Sequence, residues 1–133
     1  WVVAGDVFAP EFDFSVQAMQ RLQQSNDRAR LWLVPNPAHN PQGDFGLVHD
    51  RVLNQSEAGT RWTFSTVGLY RKDFFVPPVC QITAGNPEGV KAALAPMLRC
   101  GMDLGWVSGE LFEGVWVDVG TPERLDELRK RYG

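Results

Sequence analysis

Two short apolar runs, far apart in the chain, each end in an aspartate. Residues 1–5 lead into Asp6, and residues 115–117 lead into Asp118. A short continuous apolar run is typical of a strand buried on both faces, as in a parallel sheet. Ligands of open α/β sheets bind just beyond the carboxyl ends of the strands, so we expect the two carboxylates to meet at one rim. Such a pair would suit Mg²⁺, which proteins bind through one or two carboxylates together with substrate phosphates and water.

A purely structural role is the alternative for each aspartate, because aspartates at strand ends commonly serve only as turn residues or helix caps. A helix start follows Asp118 closely. Thr121 suits the cap of that helix, Pro122 its first position, and Glu123 the positive end of its dipole. Since Thr121 can do the capping, Asp118 is left free for a ligand.

Composition narrows the possible partners and compartments. A length of 133 residues predicts one domain, and a net charge of −3 argues against nucleic acid as a partner. Cys80 and Cys100 lie outside any CxxC motif, which predicts inert thiols. The sequence contains no signal peptide and no apolar run long enough to span a bilayer, so we expect no membrane partner and a cytoplasmic location. Because the chain begins on Trp1, already in an apolar run, we expect a truncated or processed chain, or the second half of a longer domain.

The order of predicted elements indicates an α/β fold with mixed strand directions. The first helix is expected to end near Gln24, with Asp13 or Ser15 as its cap and one buried stripe at helical spacing. That stripe consists of Phe14, Ala18, Met19 and Leu22. Gly68, inside a strand predicted for residues 61–71, indicates a bulge or the close approach of a ligand. Further strands are predicted at 29–34, 45–48, 51–53, 106–112 and 115–118. One further helix is predicted to have Pro96 in its first turn and to end near Leu104, and another to span 122–131. A parallel core with an inserted antiparallel ribbon is the simplest topology for this order.

Five short motifs follow one another along the chain, at residues 2–6, 41–46, 63–70, 107–111 and 116–123. Each motif alone is weak, whereas the five in this order, ending in W-x-D-x-G-T-P-E, resemble the sugar-1-phosphate nucleotidyltransferases. The nearest subgroup comprises short uridylyl- and guanylyltransferases that act on N-acetylmuramate 1-phosphate or mannose 1-phosphate. The resemblance implies a Rossmann-like three-layer α/β fold with a mixed, mostly parallel sheet. Residues 1–133 would form one partial domain, the C-terminal, sugar-binding half of that fold.

The resemblance also implies a chemistry. The family transfers a nucleotidyl group from a nucleoside triphosphate, here UTP or GTP, to a sugar 1-phosphate and releases pyrophosphate. By resemblance, Asp6 and Asp118 are the Mg²⁺ ligands at the reacting centre. In the family, a Gly-rich segment with an Arg, and further on a Lys, precede the Gly-Asp motif and grip the nucleotide phosphates. This sequence does not contain that segment, so we expect little or no turnover from this chain alone.

Four further site residues are implied by the resemblance. Gly46 is expected to let its backbone approach the sugar, Thr66 and Gly68 to line the sugar pocket, and Glu110 to accept a sugar hydroxyl. Ordinary strand glycines at 46 and 68, and a solvated hairpin residue at 110, are the alternatives. Many relatives carry Glu-Lys-Pro after the hairpin, with the Lys on the sugar phosphate, and residues 52–55 of this chain have no such lysine.

The remaining polar and aromatic side chains suggest no second chemistry. His39 and His49 form no metal-binding motif with each other or with a cysteine, and we expect both on surface loops. The five tryptophans are expected in the core. Two rival functions stay open: a non-catalytic module that binds a sugar phosphate, and an inactive fragment that self-associates through an exposed sheet edge. The nucleobase and the sugar are not predicted.

Overall fold

A computed structural model describes residues 1–54, 60–82 and 93–132. The strands are β1 (Val7–Phe8), β2 (Ala29–Val34), β3 (Gly46–Val48), β4 (Arg51–Leu53), β5 (Thr63–Tyr70), β6 (Val107–Leu111) and β7 (Val117–Asp118). The helices are α1 (Val16–Gln24), α2 (Leu94–Asp103) and α3 (Pro122–Tyr132), and Lys72–Phe74 form one 3-10 turn. Among the described residues, no helix is both long and apolar enough to cross a membrane.

Five strands form the main sheet in the order β3-β4-β6-β2-β5, and β1 pairs with β7 separately. The expected mixed α/β fold is therefore confirmed. The parallel share is smaller than expected, because only β2 and β6 run parallel among the described pairs of the main sheet. A parallel pair needs a long crossover connection, and α2 lies on the connection that leads from β2 to β6.

Strand β2 divides the core into two layers. Leu31 and Leu33 point to one side and pack into a cluster that includes Phe74, Leu98 and Met102. Trp32 points to the other side and packs with buried side chains of α1 and β5. Alternation along the strand thus buries both faces, and every residue of β2 except Arg30 is buried. This agrees with the strand predicted for residues 29–34.

Helix α1 contacts the sheet through a narrower stripe than expected. Ser15, one of the two predicted caps, accepts a hydrogen bond from the Ala18 amide at 3.1 Å. Ala18 and Leu22 are buried, as predicted. The prediction was wrong for Phe14 and Met19, which are both exposed. Phe14 precedes the helix and packs its ring against Trp1 instead, with centroids 5.0 Å apart.

The first apolar run is not a strand buried on both faces, which corrects the prediction for residues 1–5. Val2 makes a single antiparallel bridge to Gly68, and the residue is 49% exposed. In an antiparallel ladder the next hydrogen-bonded pair would place Ala4 opposite Thr66. Thr66 has a φ of 66°, outside the β region, so the ladder ends at the bridge.

The second apolar run is also shorter than predicted. Only Val117 and Asp118 are in a strand, and they pair with β1 rather than with the preceding strand β6. Glu113 and Gly114 therefore do not form a hairpin turn between two neighbouring strands. The register places Val7 opposite Asp118, which brings both aspartate-ended segments to one place.

Candidate functional site

The carboxylates of Asp6 and Asp118 converge beside Gly120. The ladder between β1 and β7 holds the two segments together, and the Val119 amide adds a hydrogen bond of 2.7 Å to the Asp6 carbonyl. A methyl group placed on Gly120 would lie 2.8 Å from Asp6 Oδ2 and 2.9 Å from Asp118 Oδ1. Both oxygens therefore face one small space, which exists because residue 120 has no side chain.

Asp118 is also contacted by hydrogen-bond donors and by a cation. The Gly120 amide donates to Asp118 Oδ1 at 2.8 Å. Arg124 Nη2 lies 3.4 Å and His39 Nε2 3.5 Å from Asp118 Oδ2. The Arg124 amide donates to Thr121 Oγ1 at 3.2 Å, so Thr121 caps α3 as predicted. Asp118 is therefore not the cap of α3.

The two aspartates open onto a cavity of about 350 Å³, called here the carboxylate cavity. Its wall combines the loop after β2, strand β5 and the segment around β7. The lining residues are Asp6, Val7, His39, Asn40, Asp44, Thr63, Phe64, Thr66, Trp116 and Asp118. Because the loop starts at the carboxyl end of the central strand β2, the cavity lies where open α/β sheets commonly bind ligands.

A bulge in β5 places Thr66 in the wall of this cavity. The pairing of β2 with β5 shifts between Leu31 and Leu33, and Thr66 takes its left-handed conformation within the shift. A β-branched residue seldom adopts positive φ, and such strain is concentrated at functional sites. Thr66 Oγ1 is buried and has no hydrogen-bond partner among the described residues. This hydroxyl is therefore available to a bound molecule.

Ser65 and Trp116 hold the bulge in place. The Ser65 hydroxyl donates to the Trp32 carbonyl at 2.6 Å and accepts from the Val67 amide at 3.1 Å. Trp116 Nε1 donates to the Ser65 carbonyl at 3.1 Å. Trp116 precedes Asp118 by two residues, so the same contact ties the carboxylate segment to the bulged strand.

The predicted site residues fall into two groups. Asp6, Asp118 and Thr66 line the carboxylate cavity, whereas Gly46, Gly68 and Glu110 do not. Gly46 begins β3 and pairs with Leu53. A methyl group on Gly68 would meet the Tyr70 hydroxyl at 2.8 Å, and Glu110 lies 3.4 Å from Arg30 in an ion pair. The roles assigned to all six residues stay predictions.

Sequence reasoning missed three residues of the site. His39 was expected on a surface loop and Trp116 in the core, and Arg124 was not singled out. The side chain of His39 is partly exposed, yet it lies beside Asp118. The position of its loop, directly after the carboxyl end of β2, was a usable indication, because ligand-binding loops of α/β sheets start there. Arg124 had no comparable sequence indication.

The residues present suit a hard cation held jointly with a substrate. Among the described residues, no group of three or more His, Cys, Asp or Glu side chains is placed to hold a metal ion. The space between Asp6 and Asp118 offers two carboxylate groups, which matches the small number of protein ligands typical of Mg²⁺. The two carboxylates therefore suit Mg²⁺ whose coordination shell is completed by phosphate oxygens of a substrate. They do not suit a metal ion held by protein ligands alone.

Comparisons with known proteins confirm the resemblance seen in the sequence motifs. The chain is 41% identical over 134 residues to N-acetylmuramate alpha-1-phosphate uridylyltransferase of Neisseria meningitidis serogroup B, a match that covers 99% of this chain and 54% of that protein. A crystal structure from Bacillus anthracis, assigned as a glucose-1-phosphate thymidylyltransferase and solved with sucrose, superposes with a TM-score of 0.68. That match has 14% identity and covers 97% of this chain and 52% of the other, so it shows the fold alone. No protein-family model matches the sequence. The chain thus spans about half the length of the proteins it matches.

Proposed function

We propose that this chain forms the sugar- and metal-binding part of a nucleotidyltransferase that makes a nucleotide sugar. In the reaction, an oxygen of the sugar 1-phosphate bonds to the α-phosphorus of UTP or GTP. The bond from that phosphorus to the bridging oxygen breaks, and pyrophosphate leaves with the electron pair. The observation that carries the proposal is the convergence of Asp6 and Asp118 on the space beside Gly120. The likeness to an N-acetylmuramate alpha-1-phosphate uridylyltransferase supports the substrate class and favours UTP.

In this proposal Asp6 and Asp118 would hold Mg²⁺, which when bound neutralises charge on the phosphates. Such transfers depend mainly on positioning and charge neutralisation rather than on covalent chemistry by the protein. The Gly120 amide and Arg124 fix the orientation of the Asp118 carboxylate through the contacts at 2.8 and 3.4 Å. The hydroxyl of Thr66, which has no hydrogen-bond partner within the described part of the chain, would bind a sugar hydroxyl or amide across the cavity.

Calorimetry with a sugar 1-phosphate, in the presence and absence of Mg²⁺, tests this proposal. We expect Mg²⁺ to strengthen the binding of the sugar 1-phosphate. Asp6→Asn and Asp118→Asn should each weaken it. A pyrophosphate-release assay with UTP or GTP is expected to show little turnover by residues 1–133 alone, because the phosphate-gripping segment of the resembled family is absent from them. Sugar-phosphate binding that ignores both Mg²⁺ and the two substitutions would favour the rival function, a non-catalytic binding module.

Three parts of the proposal extend beyond the site itself. We expect the product to serve as a precursor for cell-wall synthesis, and we expect the protein to act in the cytoplasm, where nucleoside triphosphates are available. Self-association through an exposed sheet edge remains a prediction. Light scattering of the purified chain tests it, and a monomer at all concentrations would contradict it.

A further inference from the structure

A second cavity, of about 410 Å³, adjoins the carboxylate cavity and shares Asp44, Phe64 and Thr66 with it. Its other walls come from the first residues of the chain, from Phe45, and from the beginning of α2. Those walls are almost entirely apolar, and Arg99 is the exception. A molecule bound in the carboxylate cavity can therefore extend a substituent past Thr66 into a second, apolar space. We call this space the apolar cavity.

Arg99 brings a positive charge to the apolar cavity, and none of the described residues is an acidic partner for it. Its guanidinium carbon lies 4.9 Å from the centre of the Phe45 ring, and Nη1 donates to Asn54 Oδ1. Both partners are uncharged. Among the described residues, no carboxylate lies within ion-pair distance of Arg99, whereas Arg51 and Arg124 each contact an aspartate.

Asp44 lines the same cavity but forms no ion pair with Arg99. Asp44 Oδ2 accepts a hydrogen bond from the Phe64 amide at 2.8 Å, and Oδ1 accepts one from Asn40 Nδ2 at 3.2 Å. Both oxygens are therefore engaged in holding the loop after β2 against β5. Arg99 therefore has no ion-pair partner among the described residues, and apolar walls strengthen its attraction for an anion relative to water.

We infer that the apolar cavity receives an acidic substituent of the sugar, a carboxylate carried on a short alkyl ether arm, and that Arg99 binds the carboxylate. The planar guanidinium matches a carboxylate in a bidentate geometry, while the apolar walls suit the alkyl arm. The inference rests on the proposed function, and it adds a residue that selects among sugar phosphates. It does not concern the reacting phosphate, which belongs beside Asp6 and Asp118.

Two sugar 1-phosphates that differ in this substituent provide the test: N-acetylmuramic acid 1-phosphate, which carries a lactyl ether, and N-acetylglucosamine 1-phosphate, which does not. Calorimetry in Mg²⁺ should show tighter binding of the acidic sugar by the natural chain. Arg99→Gln should weaken binding of the acidic sugar by about 10- to 100-fold, the usual range for a hydrogen bond to a charged group. Binding of the neutral sugar should change by no more than about twofold.

Arg61→Gln is the matched control. Arg61 also contacts Asn54, since its Nη2 donates to the Asn54 carbonyl at 2.7 Å, but it does not line the apolar cavity. Its substitution should leave the ratio of the two sugar affinities unchanged. Ala95→Glu is the second test variant, because Ala95 is an exposed wall residue in the first turn of α2, where a glutamate favours the helix. A glutamate there would neutralise Arg99 and lower the affinity for the acidic sugar alone.

Each outcome decides between the two proposals. Equal weakening of both sugars by Arg99→Gln, or no preference of the natural chain for the acidic sugar, would overturn the role of Arg99. The proposed function would survive either result if binding of the neutral sugar still required Asp118. If neither sugar 1-phosphate binds, the proposed function fails, and the assignment of the apolar cavity fails with it.

Discussion

Strand β2 and the β1–β7 pair are stabilised in different ways. β2 is six residues long, is paired on both edges, and is buried at every position except Arg30. β1 and β7 have two residues each, all of them only partly buried. Hydrophobic packing therefore fixes β2, whereas a few hydrogen bonds, including those of Val119 and Trp116, fix the segment that carries Asp118.

From this contrast we expect stability and ligand binding to depend on different parts of the chain. The core supplies a rigid sheet, and the polar site is attached to its rim by short segments that bury little apolar surface. Substitutions in β2 should thus change the free energy of unfolding with little effect on the site. Substitutions around Asp118 should do the reverse.

The largest expected effect is on stability, from Leu33→Ala. Leu33 is fully buried in the core cluster on one side of β2. Truncation should lower the free energy of unfolding by about 2–5 kcal/mol, because it removes buried apolar contacts and leaves a cavity. Urea denaturation measures the change, and Val16→Ala, at an exposed position of α1, is the control. A loss below about 1 kcal/mol would contradict the view that packing around β2 dominates stability.

The largest expected effect on binding comes from the two carboxylates. Asp118→Asn keeps the shape of the side chain but removes the charge that faces the space beside Gly120. Mg²⁺ affinity in the presence of a sugar 1-phosphate should fall by about 100-fold. Changing a residue that only supports a metal ligand costs about 10- to 100-fold, and loss of a ligand should cost at least as much. Asp6→Asn should behave alike, whereas Glu113→Gln, at an exposed position, should have no effect. Unchanged metal affinity in both aspartate variants would end the metal-site proposal.

A smaller effect is expected from Gly120→Ala, which tests the shape of the site with no change in charge. The added methyl group would approach Asp6 Oδ2 and Asp118 Oδ1 to within 3 Å, so the carboxylates must move apart. We expect Mg²⁺ affinity to fall by about tenfold, because ligand orientation controls metal binding. Gly5→Ala is the matched control, since a methyl group on Gly5 meets no atom within 4 Å. Equal effects of the two alanines would show that the space beside Gly120 is not a ligand site.

The same contrast explains which features the sequence could predict. The strand at residues 29–34 and the cap at Thr121 follow from local patterns, and both are observed. The convergence of Asp6 and Asp118 was predicted and is observed, but its cause differs from the prediction: the antiparallel pairing of β1 with β7, outside the main sheet, brings the two carboxylates together. Gly68 indicated the bulge in β5, and the register shift between β2 and β5 confirms it. The left-handed backbone of Thr66 and the contact of Arg124 with Asp118 were not predicted, because they depend on the exact backbone path through the bulge and through the turn before α3.

The smallest effect is expected at high pH, and it is an effect on the free energy of unfolding. Burial raises the pKa of Tyr70 well above its ordinary value, because the phenolate would lose its hydration. In the unfolded chain the phenol ionises near pH 10, so above that pH the unfolded state binds fewer protons than the folded state. Below about pH 10 the phenol is neutral in both states, and its contribution to stability is fully present. Above about pH 10 ionisation of the unfolded chain should lower the free energy of unfolding by up to about 1.4 kcal/mol per pH unit.

Tyr70→Phe isolates this contribution. The variant cannot ionise at residue 70, so its stability should fall less steeply than that of the natural chain between about pH 10 and pH 11. Urea denaturation at several pH values measures both slopes, and comparison at neutral pH gives the cost of losing the hydroxyl itself. Identical alkaline slopes would mean that the phenol of Tyr70 reaches water in the folded chain. The packing of Tyr70 against Phe74 and Phe75, with ring centroids 5.6 Å apart in each pair, argues for the steeper slope in the natural chain.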